Sequence, residues 1–223
     1  MVNIHESEQE TVEALKKWWH ENGRTVLAGV VLGLGAVIGW NAWQARVAAQ
    51  AQEASRLYEQ VVAAGNDALS PDLESRVETF LREHPDNGYA PLLALALANE
   101  AVEHDRRSQA ADHLRFAMEH ARESGLRDVA RLRLARLLLD EGKVAQALAA
   151  LDEPQAGELD PLLQEARGDA LLAQGQREAA REAYESAASR LPAGSTGRER
   201  VQMKLDDLGR SSLAAPSRQG ADS

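Results

Sequence analysis

Hydrophobic and polar positions along this chain follow two regimes. Residues 25–44 read TVLAGVVLGLGAVIGWNAWQ, twenty residues without a charge. Elsewhere apolar residues recur every three or four positions within segments of roughly 10 to 20 residues, the period of a helix with one buried face. The segments are ARVAAQAQEASRLYEQVVAAGND, PDLESRVETFLREHPDN, APLLALALANEAVEHDR, RSQAADHLRFAMEHARESG, RDVARLRLARLLLDEGK, VAQALAALDEP, DPLLQEARGDALLAQG, REAAREAYESAASRLP and GRERVQMKLDDLG. Pro, Gly, Asn or Asp punctuates nearly every junction. No stretch alternates with the strand period. The pattern predicts an all-α protein: a single N-terminal transmembrane helix followed by a helical-repeat domain.

Twenty helical residues span about 30 Å, the thickness of a bilayer's hydrocarbon core. Val26, Leu27, Val30, Val31, Leu32, Leu34, Val37 and Ile38 together favour insertion by about 2.4 to 4.8 kcal/mol. All four tryptophans of the protein flank this stretch. Trp18 and Trp19 precede it, and Trp40 and Trp43 close it, as interfacial anchors of a spanning helix do. A secretory signal wants a short basic lead and an apolar core of about 7 to 15 residues. Here an acidic 24-residue segment comes first and the core is longer, so a retained anchor is expected. Ala49-Gln50-Ala51 resembles a cleavage triplet but lies in a run that reads as continuing helix. Lys16, Lys17 and Arg24 before the span outnumber Arg46 and Arg56 after it, which favours an N-terminus in the cytoplasm.

Glycine weakens a helix, so four within one span ask for a reason. Gly29, Gly33 and Ala36 share one stripe, while Ala28, Gly35, Gly39 and Ala42 share the next. Small residues spaced by four let a second helix approach closely. Gly29, Gly33, Gly35 and Gly39 are therefore expected to form a packing face, against the plainer reading that glycine is common in membrane helices.

An internal repeat organises the remainder. In LLQEARGDALLAQGQREAAREAYESAASRLP, residues 162–192, Gly168 and Leu171 occupy a first helix and Gly175 the turn. Ala180, Tyr184 and Ala187 follow in a second helix, with Pro192 as the stop. This is the spacing of a tetratricopeptide repeat, with small residues where antiparallel helices cross. Ala135, Leu138, Gly142, Ala147 and Leu151 repeat the offsets upstream. Ala98, Ala101, Asp105, Ala110, Leu114 and Ala117 do so less cleanly, and a degenerate unit ends near Val77, Phe80 and Pro85. Such units bury their apolar faces only by stacking. The expected product is a tetratricopeptide-like solenoid with a binding groove, and Tyr184 and Leu151 are expected to face that groove. The expected organisation is 1–24 cytoplasmic, 25–44 transmembrane, 45–209 periplasmic repeat domain with a capping helix over 197–209, and 210–223 a disordered tail.

Composition changes the picture mainly by exclusion. Helix formers dominate and only 4% of residues are aromatic. The net charge is −10, which lacks the basic footprint of a nucleic-acid binder. With no cysteine there are no disulfides, thiol chemistry or cysteine-held metal. No P-loop, GxGxxG, HExxH or GxSxG sequence occurs. Glu100 and His104 stand four apart, as metal ligands can, but a surface ion pair is the commoner meaning. His113 and His120 lack convergent carboxylates. No catalytic residue, cofactor site or metal site is expected, and an enzyme is not.

The stretch ENGRTVLAGVVLGLGAVIGW, after an acidic N-terminus and a basic-aromatic lead-in, resembles the anchor of the YfgM family. The runs YEQVVAA, LRLARLLL and QEARGDALLAQG follow in the same order, so the resemblance covers nearly the whole chain to about Leu208. It implies an ancillary subunit of the bacterial Sec translocon, single-pass in the inner membrane, with a tetratricopeptide-like periplasmic domain. It implies association with the SecYEG channel and the chaperone PpiD, and a part in handling newly exported chains. The competing expectation is a membrane-anchored repeat scaffold or regulator of another envelope complex. Crosslinking of emerging chains would separate the two.

Overall fold

A computed structural model of the chain describes residues 4–64, 68–152 and 157–213. Its side chains are described from Val12 to Gly209, Ala14 excepted. The helices are α1 (Ile4–Ala64), α2 (Pro71–Glu83), α3 (Ala90–Glu103), α4 (Arg107–His120), α5 (Ser124–Asp140), α6 (Val144–Ala150), α7 (Asp160–Ala173), α8 (Arg177–Arg190) and α9 (Thr196–Leu213). No strand occurs among the described residues. The chain divides into two compact units at Gln52/Glu53.

In the first unit, α1 passes through residues 25–44 without interruption. It is the one described helix long and apolar enough to cross a membrane, with a mean hydropathy of 1.7 over its most apolar window and none of that window buried. The triplet 49–51 is helical, as its surroundings suggest.

The second unit stacks helical pairs. From Glu53 onward the last turns of α1 give Ala54, Leu57 and Val61 to the core beside Leu73, Val77 and Phe80 of α2. The pairs α3/α4, α5/α6 and α7/α8 follow, each packed on the next, with α9 against α8. Several starts have a local cause. Ser70 caps α2 by accepting the Leu73 amide at 3.3 Å, and Pro71, Pro91 and Pro161 open helices where their missing N–H is not needed.

The turns inside the pairs are built alike. Asp105, Gly142 and Gly175 take φ of 56°, 73° and 83°. In each, the following amide reaches back five residues: Arg106 to the Ala101 carbonyl at 2.7 Å, Lys143 to Leu138 at 2.8 Å, Gln176 to Leu171 at 2.9 Å. These left-handed stops satisfy the carbonyls that a helix end leaves open. Glycine takes this conformation freely, and aspartate is among the few other residues that tolerate it. The expected cap over 197–209 is α9, which runs four residues further, to Leu213. Residues 214–223 of the expected tail lie outside the described residues.

Candidate functional site: a groove along the first helices of the repeats

Six of the repeat-signature residues, Ala147, Leu151, Gly168, Ala180, Tyr184 and Ala187, are core, which corrects one expectation; Gly142, Gly175 and Pro192 are exposed at turns. Ala147, Ala180 and Ala187 are fully buried, Leu151 is 0% exposed and Tyr184 1%. Tyr184 and Leu151 therefore do not face a groove. Tyr184 packs flat over Gly168 at the α7/α8 crossing, where a Cβ on Gly168 would collide with the ring. Its hydroxyl donates to Asp169 Oδ1 at 2.7 Å. Burial first, and the adjacent carboxylate second, push the Tyr184 hydroxyl well above its usual range. Gly142 and Gly175 make their turns, and Pro192 follows the end of α8, where its carbonyl accepts the Ser195 amide.

The groove is lined instead by the last turns of α1 and the inner faces of α3 and α5. Two adjoining cavities make it. One, about 340 Å³, lies among Tyr58, Val61, Val62, Leu95, Ala96 and Glu103. The other, about 330 Å³, lies among Ala98, Val102, Leu114, Arg136, Leu137 and Asp140. Asn99 and Arg133 line both. Val62 and Val102 are 57% and 49% exposed, unusual for aliphatic side chains. The walls are mixed, with aliphatic Val62, Val102 and Leu137 beside Asn99, Glu103, Arg133, Arg136 and Asp140.

Glu100 and His104 are not a surface pair. Glu100 is buried, and its Oε1 accepts the Leu69 amide at 3.2 Å, tying α3 to the segment before α2. The same oxygen lies 3.2 Å from His104 Nδ1. His120 stacks on Phe116 with centroids 4.1 Å apart, while burial pushes the half-buried His113 below its usual range. Among the described residues no three His, Asp or Glu converge as a metal site would require.

A polar cluster that sequence reasoning missed ties α9 to α7. Glu165 is buried and takes two hydrogen bonds from Arg200, at 2.8 and 2.6 Å. Lys204 lies 2.9 Å from Glu165 and 2.6 Å from Asp169, and 5.6 Å above the Tyr184 ring. Burial alone would raise Glu165, but the bonds from Arg200 and Lys204 outweigh it and hold the carboxyl below its usual range. The partners stand 35 residues apart, so no local pattern announces them.

In the first unit, nothing lies within 4 Å of where a Cβ on Gly29, Gly33, Gly35 or Gly39 would stand. Trp18, Trp19, Trp40 and Trp43 are all exposed. Trp40 and Trp43 meet at 5.1 Å between centroids, and Trp19 lies over Gly23.

A family model described as a tetratricopeptide repeat-like domain matches residues 16–210. Among curated proteins, the chain is 34% identical over 209 residues to the ancillary SecYEG translocon subunit of Escherichia coli (strain K12). That match covers 93% of this chain and 99% of the relative. It is 31% identical to the protein of the same description from Neisseria gonorrhoeae, over 92% and 98% of the two chains. The relative from Haemophilus influenzae is 28% identical over 90% and 97%.

Proposed function

Because this chain belongs to the tetratricopeptide repeat-like family of the ancillary SecYEG translocon subunits, we propose that it serves the Sec translocon as a membrane-anchored accessory. The observation that carries this reading is the end-to-end match, through apolar helix and repeats alike. In this reading α1 is a single-pass anchor in the bacterial inner membrane, N-terminus cytoplasmic, with the repeat domain in the periplasm. Lys16, Lys17 and Arg24 support that orientation.

The work is binding, not chemistry. A tether raises the effective concentration of the groove around segments leaving the channel, so weak contacts suffice. The partners are SecYEG, the PpiD chaperone and newly exported chains. The open faces of Gly29, Gly33, Gly35 and Gly39 pack against a partner's membrane helix, where close backbone approach replaces the hydrophobic drive that lipid removes.

Replacing Gly35 and Gly39 together with Leu tests the contact. Co-purification with SecYEG or PpiD in mild detergent should fall several-fold at equal protein level. Unchanged recovery of both would reject this role for the glycine face.

A further inference from the structure

Helix α1 runs well past the charge-free span at both ends, and one face of it stays apolar throughout. Stepping alternately by three and four from Val12 visits positions 12, 15, 19, 22, 26, 29, 33, 36, 40, 43 and 47. Asn22 is the one polar residue on this row, and every charge from Glu13 to Arg46 falls off it. Outside the span, each large apolar side chain between Val12 and Val47 except Trp18 lies on it. A row with this alternation, sustained over several heptads, is the seam of a coiled coil.

Further along α1 the same row supplies Ala54, Leu57 and Val61, which the repeat domain buries. Before them the row is bare: Val12, Leu15, Trp19, Trp40, Trp43 and Val47 are 45 to 63% exposed. Lipid covers the middle of the seam but not its start. Val12 and Leu15 stand about 20 and 15 Å before Thr25 along a helix that does not break there. A headgroup layer is only about 5 to 8 Å deep, so both side chains lie in water. Another protein surface relieves that exposure.

Direction of insertion selects the occupant. Copies of one chain cross a membrane the same way, so two of them lie parallel with equal residues at equal depth. Gly29, Gly33 and Ala36 then meet their own counterparts inside the bilayer, where small residues let backbones approach. Asn22 meets Asn22 at the membrane boundary. Its Nδ2 donates to the Trp18 carbonyl at 3.1 Å, and the amide has a second N–H and a carbonyl to offer its counterpart. A single paired Asn on a seam fixes register. Beside the seam Thr25 comes opposite Val30 and Arg46 opposite Ala51, so like charges do not meet there.

We propose that α1 pairs with α1 of a second copy, parallel and in register, along the seam from Val12 to Val47. This rests on reading α1 as a single-pass anchor. The other small row, Ala28, Gly35, Gly39 and Ala42, lies off the seam and stays available to a different membrane helix. Self-pairing and translocon contact therefore use separate faces.

Because the chain has no cysteine, single introduced cysteines report contacts cleanly. Two differently tagged full-length chains carrying the same substitution are oxidised in isolated membranes, and mixed-tag disulfide dimers are measured. Val12→Cys, Leu15→Cys and Val47→Cys should yield several-fold more dimer than Glu13→Cys, Lys17→Cys and Ala48→Cys. Adding Gly29→Leu with Gly33→Leu should cut the Leu15→Cys dimer several-fold, whereas Gly35→Leu with Gly39→Leu should leave it intact. Equal yields on and off the seam, or a dimer indifferent to Gly29→Leu with Gly33→Leu, overturn the proposal. A membrane-impermeant maleimide tests the anchor separately, since Val12→Cys and Val47→Cys should label from opposite faces. Opposite-face labelling without seam dimers rejects self-pairing alone; labelling of both from one face rejects the anchor and the seam together.

Discussion

At Gly168 the chain requires the absence of a side chain, because the Tyr184 ring occupies the space a Cβ would need. The phenol cannot retreat without breaking its bond to Asp169. Gly168→Ala gains up to about 1 kcal/mol of helix propensity but overpacks the crossing by about 1 to 3 kcal/mol. A net loss of about 1 to 2 kcal/mol is expected, read as a lower urea midpoint with unchanged slope. The sequence made Gly168 and Tyr184 visible as a repeat signature. Spacing alone does not reveal their burial in the core, which is why it points Tyr184 and Leu151 towards the groove. Size and aromatic character mark an interior position as readily as a binding one, and only packing tells them apart. Asp105 shows the opposite case. Its place at the glycine offset was legible, and its left-handed backbone explains why a short polar side chain could stand there.

At the scale of elements, the helices were legible because period, proline starts and turn residues agreed. The groove was not, although a trace of it is present. Asn99, Arg136 and Asp169 each stand six residues before a left-handed turn residue, so the same position of α3, α5 and α7 is polar, and in α3 and α5 it lines the groove. The junction of α9 with α7 was illegible because its partners are distant in sequence. Among the described side chains of α9 only Val201 and Leu208 are buried and apolar, so the charges carry much of the attachment. Arg200→Met with Lys204→Met strands the buried Glu165 and should cost about 2 kcal/mol, less than for a fully interior pair because Arg200 is partly solvated. Adding Glu165→Leu should recover most of that loss. The acid response has a fixed sign. The folded state holds Glu165 below its usual range, so its contribution is present above the usual carboxylate range and is lost as pH falls from there through the lowered pKa of the folded state. The urea midpoint of the wild-type chain should therefore exceed that of Glu165→Gln at about pH 7, and the gap should close as pH falls through the lowered pKa of Glu165.

For the whole molecule, the anchor was plain from the charge-free run and its tryptophans, and the domain from its repeats. Partners were legible only through family resemblance, since glycine stripes and a groove do not name what fills them. The corrected lining moves the crosslinking test. Under the proposed function a photoreactive side chain at Val62 or Val102 should trap exported chains during translocation, whereas one at Tyr184 should trap nothing because it is enclosed. Equal trapping at all three would mean that the domain opens.

A stack of repeats is a one-dimensional lattice, and each unfinished end is a growth site for another copy. Proteins confined to a membrane meet one another at high areal density, where such growth would be fast. α9 fills the position a further repeat would take, and turns Glu199, Gln202, Asp206 and Asp207 outward. Its outer face is polar apart from Met203, which gives a further repeat little apolar surface to stack on.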